Sequence, residues 1–124
     1  MQKGIGIDII EIERVKAAAE KYGDNFLERV FTPAELQYCR HKKTLKYPEL
    51  AVRFAAKEAY SKAIGTGIGG FGRKNNGVGW KDIEIVSNSA GKPHISFKGL
   101  VLKKAHVSLS HSRDYAVASV YVEN

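Results

Sequence analysis

The chain has 124 residues, of which 44% are hydrophobic and 27% charged, and it carries a formal net charge of +7. That length bounds it to one domain with its own core, which we assign to residues 1–124. No apolar run reaches the roughly 18 residues of a membrane span, there is no signal-like apolar stretch, and one cysteine, Cys39, makes neither an internal disulfide nor a cysteine metal site, so a cytoplasmic protein with no membrane partner is expected.

The β-branched run Gly4-Ile5-Gly6-Ile7-Asp8-Ile9-Ile10 reads as an N-terminal strand. Asp8 is its only charge. A carboxylate there needs either a paired cation or a metal ion, and spacing alone does not choose between them. Ile12, Val15, Ala19 and Tyr22 then give a helical stripe that Gly23 ends. Arg14 and Lys21, seven apart, share one face of that helix. Thr32-Pro33-Ala34-Glu35 is a helix start: Thr32 as N-cap, Pro33 at the first position, Glu35 closing a capping box. The capping role accounts for Glu35 without chemistry. Cys39 on this helix reads as a small packing residue. A basic cluster follows: Arg40, His41, Lys42, Lys43 and Lys46.

A long helix is expected from Pro48 to Gly65. Val52, Ala55, Ala56, Ala59 and Ala63 make one buried face whose small side chains let another backbone come close. Glu58 and Lys62, four apart, share a flank; Arg53 and Lys57 share another. These charges either decorate the surface or hold a metal ion and a phosphate. From Gly65 to Gly79 there are seven glycines in fifteen residues, a segment with little to bury that is expected to be mobile without ligand. It is not a P-loop, because it follows a helix and lacks the lysine and hydroxyl residue. The remainder alternates as strands: Asp82 to Val86, His94 to Phe97, and an antiparallel pair from His106 to His111 and from Tyr115 to Val122. Helices in the first half packed on an antiparallel sheet from the second give an α+β class.

Five motifs occur in order along nearly the whole chain: Gly4-Ile5-Gly6-Ile7-Asp8, Glu11-Ile12-Glu13-Arg14, Phe31 to Glu35, Arg53 to Ile68, and Ser108-Leu109-Ser110-His111. Together they resemble the holo-[acyl-carrier-protein] synthases, the small bacterial-type 4'-phosphopantetheinyl transferases. The resemblance implies a small α+β protomer assembled as a homotrimer, with sites between subunits. It implies transfer of 4'-phosphopantetheine from coenzyme A to a serine of an acidic apo acyl carrier protein, releasing adenosine 3',5'-bisphosphate, in fatty acid biosynthesis.

Carried over residue by residue, Asp8 and Glu58 would bind Mg²⁺, which typically takes one or two carboxylates with water and substrate phosphate. Lys62 would reach the same phosphates and join Asp8 and Glu58 as the catalytic set. Gly65, Thr66, Gly67 and His111 would contact coenzyme A, with Lys43 and Lys46 at its 3'-phosphate. Arg14 and Lys21 would dock the acidic carrier protein. The general base is Glu58, directly or through water, or His111. Ser112 stands where some relatives have an acid, which weakens any His–Asp dyad.

Two readings compete. A nucleic-acid module is raised by the basic clusters, but aromatics interleaved with cations on one sheet face are missing and Trp80 stands alone, so no nucleic acid is expected. A non-catalytic oligomeric scaffold has no need of Asp8 in an apolar strand.

Overall fold

The N-terminal run forms β1 (Lys3–Glu11), which pairs antiparallel with the last strand along its whole length. The structure, a computed structural model, describes residues 3–65 and 78–123; Thr66, Gly67 and the rest of the glycine-rich segment to Gly77 lie outside the described residues. Four helices follow β1: α1 (Ile12–Tyr22), α2 (Asp24–Val30), α3 (Pro33–Cys39) and, after the small hairpin of β2 (Arg40–His41) and β3 (Thr44–Leu45), α4 (Tyr47–Ile64). A 3-10 turn at Trp80–Asp82 leads into β4 (Ile83–Ser87), β5 (Pro93–Phe97), β6 (Leu100–Val101), β7 (Ala105–His111) and β8 (Tyr115–Glu123). The strands form two three-stranded antiparallel sheets, β1-β8-β7 and β4-β5-β6, beside the β2-β3 hairpin. The α+β class is as expected, with two sheets where one was anticipated.

Local signals act as the sequence indicates. Thr32 Oγ1 accepts from the Glu35 N–H, and Glu35 Oε1 accepts from the Thr32 N–H at 2.9 Å, closing the capping box. Gly65 ends α4 at φ 80°, the left-handed conformation that suits glycine, and its N–H goes to the carbonyls of Ser61 and Lys62. Ile12, Val15 and Ala19 are buried as the stripe requires, but Tyr22 is exposed. Phe26 of α2, a helix that had no periodic signal of its own, is buried at this end instead.

Packing centres on α4, which lies across β1 and β8. A Cβ on Gly6 would stand 1.9 Å from the Ala59 carbonyl oxygen, and one on Gly4 would stand 1.9 Å from that of Ala63. Strand and helix backbones therefore touch, and only glycine permits it.

Arg53 and Lys57 are not surface decoration. Lys57 is fully buried, 2.6 Å from Glu35, and also donates to the carbonyls of Val30 and Trp80 at 2.7 and 3.1 Å. Glu35 Oε2 accepts from the Ile85 N–H at 2.8 Å. Burial pulls the Lys57 ammonium below its usual value, while the Glu35 carboxylate beside it favours the charged form. Cys39 is buried, and burial pushes its thiol up to about 11, which fits packing rather than nucleophilic use.

The other face of the β1-β8-β7 sheet is open. In the cross-strand rows Ile5–Tyr121–His106, Ile7–Ser119–Ser108 and Ile9–Val117–Ser110, the three isoleucines are 75, 63 and 66% exposed. Gly6→Ala should lower stability by about 1–3 kcal/mol or more, the usual range for overpacking. The readout is the urea midpoint at unchanged slope. A wild-type midpoint would mean that β1 does not rest on α4.

Candidate active site

Asp8 projects from β1 on the side that faces α4, in register with Ala118. Glu58 and Lys62 lie one turn apart on the same flank of α4. With Arg14 of α1 they line one cleft of about 460 Å³, walled by Val15, Phe26 and Phe54. The convergence that spacing left open is therefore present: Asp8 and Glu58, fifty residues apart, share a cavity.

Lys62 spans the cleft mouth. Its ammonium donates to Asp8 Oδ1 at 3.1 Å and to the Ile7 carbonyl at 3.0 Å. Ser61 turns back to donate to the Glu58 carbonyl at 2.7 Å. Phe54, on the wall, stacks on Trp80 with ring centroids 4.8 Å apart. Because Lys57 holds the Trp80 carbonyl, the same buried ammonium that joins α4 to α3 also steadies this wall.

The cleft offers hard oxygen donors and no imidazole or thiolate. Among the described residues no group of three or more His, Cys, Asp and Glu is arranged to hold a metal. Two carboxylates with the rest of the shell left to water and phosphate is the pattern Mg²⁺ accepts. The Lys62 ammonium already stands in as a cation at Asp8. The residues present therefore fit a magnesium ion.

The other expected residues lie elsewhere in the chain. His111 belongs to a second cleft of about 400 Å³ that shares no lining residue with the first. There its Nε2 lies 3.9 Å from Glu49 Oε1. Arg53, 1% exposed, donates to the Glu49 carboxylate at 3.0 Å and packs over the Tyr38 ring at 4.3 Å, and its Nε has no hydrogen-bond partner. Lys46 lies over the other part of this corner, 5.1 Å from the Tyr38 ring centroid. Lys43 is exposed in the β2-β3 turn. At about 100° per residue, Glu49 and Arg53 face nearly opposite to Phe54, Glu58 and Lys62, so α4 carries one cleft on each flank. Gly65 sits past the end of the first cleft with its N–H committed to the helix cap.

On α1, Arg14 and Lys21 are both exposed, but only Arg14 lines the first cleft. Lys21 covers the Tyr22 ring at 5.3 Å. Between α1 and α2 runs a groove of about 510 Å³ formed by Ala18, Tyr22, Asn25, Phe26 and Arg29. This groove is not legible from residue patterns, because it depends on α2. Arg53, Tyr38 and Glu49 were also unassigned; the signal for Arg53 was its place in the long motif, at a position facing away from Glu58.

Among the described residues no helix is long and apolar enough to cross a membrane. Residues 4–120 match the model of the 4'-phosphopantetheinyl transferase superfamily. The chain is 43% identical to a holo-[acyl-carrier-protein] synthase of Koribacter versatilis, covering 98% of both chains. It is 47% identical to that of Ruminiclostridium cellulolyticum, covering 95% of this chain and 90% of the relative. Among solved structures it is similar to the Bacillus anthracis holo-(acyl-carrier-protein) synthase in complex with CoA (3',5'-ADP), with TM-score 0.74, 40% identity, and coverage of 98% of this chain and 96% of that one. The Neisseria meningitidis synthase gives TM-score 0.80 at 33% identity, covering 98% of each chain. The chain belongs to the 4'-phosphopantetheinyl transferase superfamily.

Proposed function

We propose that this protein is a holo-[acyl-carrier-protein] synthase that moves 4'-phosphopantetheine from coenzyme A to a serine hydroxyl of an acidic apo acyl carrier protein. Adenosine 3',5'-bisphosphate is the leaving product. The observation that carries the reading is the meeting of Asp8, Glu58, Lys62 and Arg14, from three elements, in one cleft. Relatives named for this reaction, two of them solved with coenzyme A or its nucleotide part, support it.

Asp8 and Glu58 would hold Mg²⁺. When bound, the ion offsets charge on the pyrophosphate and on the departing bisphosphate. Lys62 adds a compact positive charge beside the same phosphates. This matters because the α4 C-terminus carries a partial negative charge that would otherwise oppose them. We assign to Glu58, which lines the cleft, acceptance of the proton of the attacking serine, directly or through water. The phenylalanine walls exclude water from one side of the cleft and so strengthen these interactions.

Arg14 borders the site from the exposed face of α1, with the groove toward Arg29 beside it. An acidic helix laid along α1 would meet Arg14 and Lys21 and bring its serine to the cleft. We assign the carrier-protein surface here.

His111 and Arg53 line a second cleft on the far flank of α4, with Lys46 over the Tyr38 ring, and we group the exposed Lys43 of the β2-β3 turn with them. Arg53 adds positive charge to the wall of that cleft. We propose that the protein is a homotrimer in which this site on one protomer completes the Asp8–Glu58 cleft of its neighbour and receives the nucleotide end of coenzyme A. The open sheet face supports the trimer: its isoleucine strip lies at one edge and its polar strip, His106, Ser108 and Ser110, at the other, an unsymmetrical surface suited to head-to-tail closure. We place the reaction in the cytoplasm and in fatty acid biosynthesis.

Four outcomes are expected. Incubation with coenzyme A, Mg²⁺ and an apo carrier protein should add one phosphopantetheine mass. Asp8→Ala and Glu58→Ala should each cut the rate by about 10²-fold or more, the scale for losing one group that stabilises the transition state, while remaining folded; full activity in either, or indifference to a chelator, refutes the metal pair. Arg14→Glu should raise KM for carrier protein far more than for coenzyme A, and the gap should shrink as salt rises; equal changes would remove α1 from docking. Ile7→Glu should convert a trimer into monomers in sedimentation equilibrium with an unchanged far-UV spectrum; a trimer that persists rules out the open face as the interface.

A further inference from the structure

Beside the Asp8 carboxylate lies a cation tethered to the helix that carries the other proposed metal ligand. Lys62 Nζ lies 3.1 Å from Asp8 Oδ1 and is held again by the Ile7 carbonyl at 3.0 Å, and both of these acceptors belong to β1. The Asp8 side chain is 19% exposed and that of Lys62 is 53% exposed. The contact therefore sits at the cleft mouth, and the lysine can leave it without opening the core. Lys62 is also in the last turn of α4, where the partial negative charge of the helix end favours a cation. In the ligand-free protein this ammonium offsets the charge of two carboxylates that share one cavity.

A divalent cation on Asp8 changes that balance. Its positive charge repels an ammonium a few ångströms away, and the Asp8 oxygen cannot keep a full ammonium hydrogen bond while serving a small, strongly hydrated ion. The lysine needs another anion before it leaves, and a pyrophosphate brought into the cleft supplies one.

We propose that Lys62 is a built-in competitor for the divalent cation at Asp8, exchanged onto the coenzyme A phosphates when that substrate binds. The metal alone then binds weakly. Metal and coenzyme A bind with positive coupling, each raising the affinity of the other by the same factor. The consequence for the reaction is order: the carboxylate pair takes its metal when there is a pyrophosphate to bridge. The inference rests on the reading of Asp8 as a metal ligand.

The test is Mn²⁺ binding to the ligand-free protein, read from the electron paramagnetic resonance signal of the free ion. Lys62→Met, which keeps the chain length and removes the charge, should bind Mn²⁺ alone about fivefold tighter or more, at the low end of ordinary coupling factors. Lys62→Arg, which keeps the charge, should stay as weak as wild type. The ratio of the Mn²⁺ dissociation constants without and with saturating coenzyme A should be smaller in Lys62→Met than in wild type. Unchanged or weaker binding of Mn²⁺ alone by Lys62→Met overturns the competitor role. Asp8→Asn separates the two levels. If it binds Mn²⁺ in the presence of coenzyme A as tightly as wild type, Asp8 is not the ligand and both ideas fall. If it loses Mn²⁺ while Lys62→Met shows no tightening, only the competitor role is lost.

Discussion

Gly4 and Gly6 bring the backbone of β1 against the carbonyls of Ala63 and Ala59, and that contact sets how far Asp8 stands from Glu58 and Lys62. A methyl group on either glycine would push strand and helix apart at the level of the cleft. The alanine face of α4 has the matching property, since larger side chains would lift the helix off the sheet just as surely. The glycines of β1 and the alanines of α4 are thus one device written twice. Its product is a Lys62 ammonium within hydrogen-bond reach of both Asp8 and the Ile7 carbonyl.

The buried Lys57–Glu35 pair does the complementary work of fixing α4 against the helical layer. Removing either partner would leave a charge in a fully buried site, at about 3–5 kcal/mol, whereas the intact pair is satisfied by Val30, Trp80, Thr32 and Ile85 as well. The Lys57 and Glu58 side chains are adjacent in sequence and point to different surroundings: one is locked in the core, the other lines the cleft. Rotation of α4 about its axis would require pulling Lys57 from three partners at once. That resistance holds Glu58 and Lys62 at the cleft, and Glu49 and Arg53 on the opposite flank.

What was legible in the sequence follows from how local each feature is. The capping box at Thr32–Glu35 and the glycine end of α4 could be read directly, because their partners lie within a few residues. The strands could be read from alternation, and the α+β class from their order. By contrast, the burial of Arg53 and Lys57 could not be read, and surface decoration stayed open beside a metal-and-phosphate role, because helical periodicity does not reveal that α4 is covered by α1, α3, β1 and β8 together. Their partners differ in reach: Glu49 is one turn away, whereas Glu35 lies in another helix. The seven-residue α2 is too short to show a period, and with it went the α1–α2 groove and the burial of Phe26 in place of Tyr22. The meeting of Asp8 with Glu58 was open from spacing alone, since it depends on the β1–α4 contact. The division into two clefts was equally hidden, for it arises from the angle between Arg53 and Glu58 around one helix.

The same sheet that presents Asp8 to the cleft bears on the competing classes through its other face. A single-strand nucleic-acid platform needs aromatic rings flanked by cations on an open sheet. Here the centre of the open face is aliphatic along β1 and hydroxylic along β7, while Arg14, Arg53 and Lys62 line the two clefts. Those cations therefore border the clefts rather than the centre of the open face. An apolar sheet face calls for cover by protein, and cations ringed about a carboxylate-lined cavity call for an anion that can bridge them. A scaffold explains the first property and a nucleic-acid binder the second; the proposed oligomeric phosphoryl-transfer enzyme would explain both, because closing the sheets against one another would carry the cationic flank of one protomer toward the carboxylates of the next.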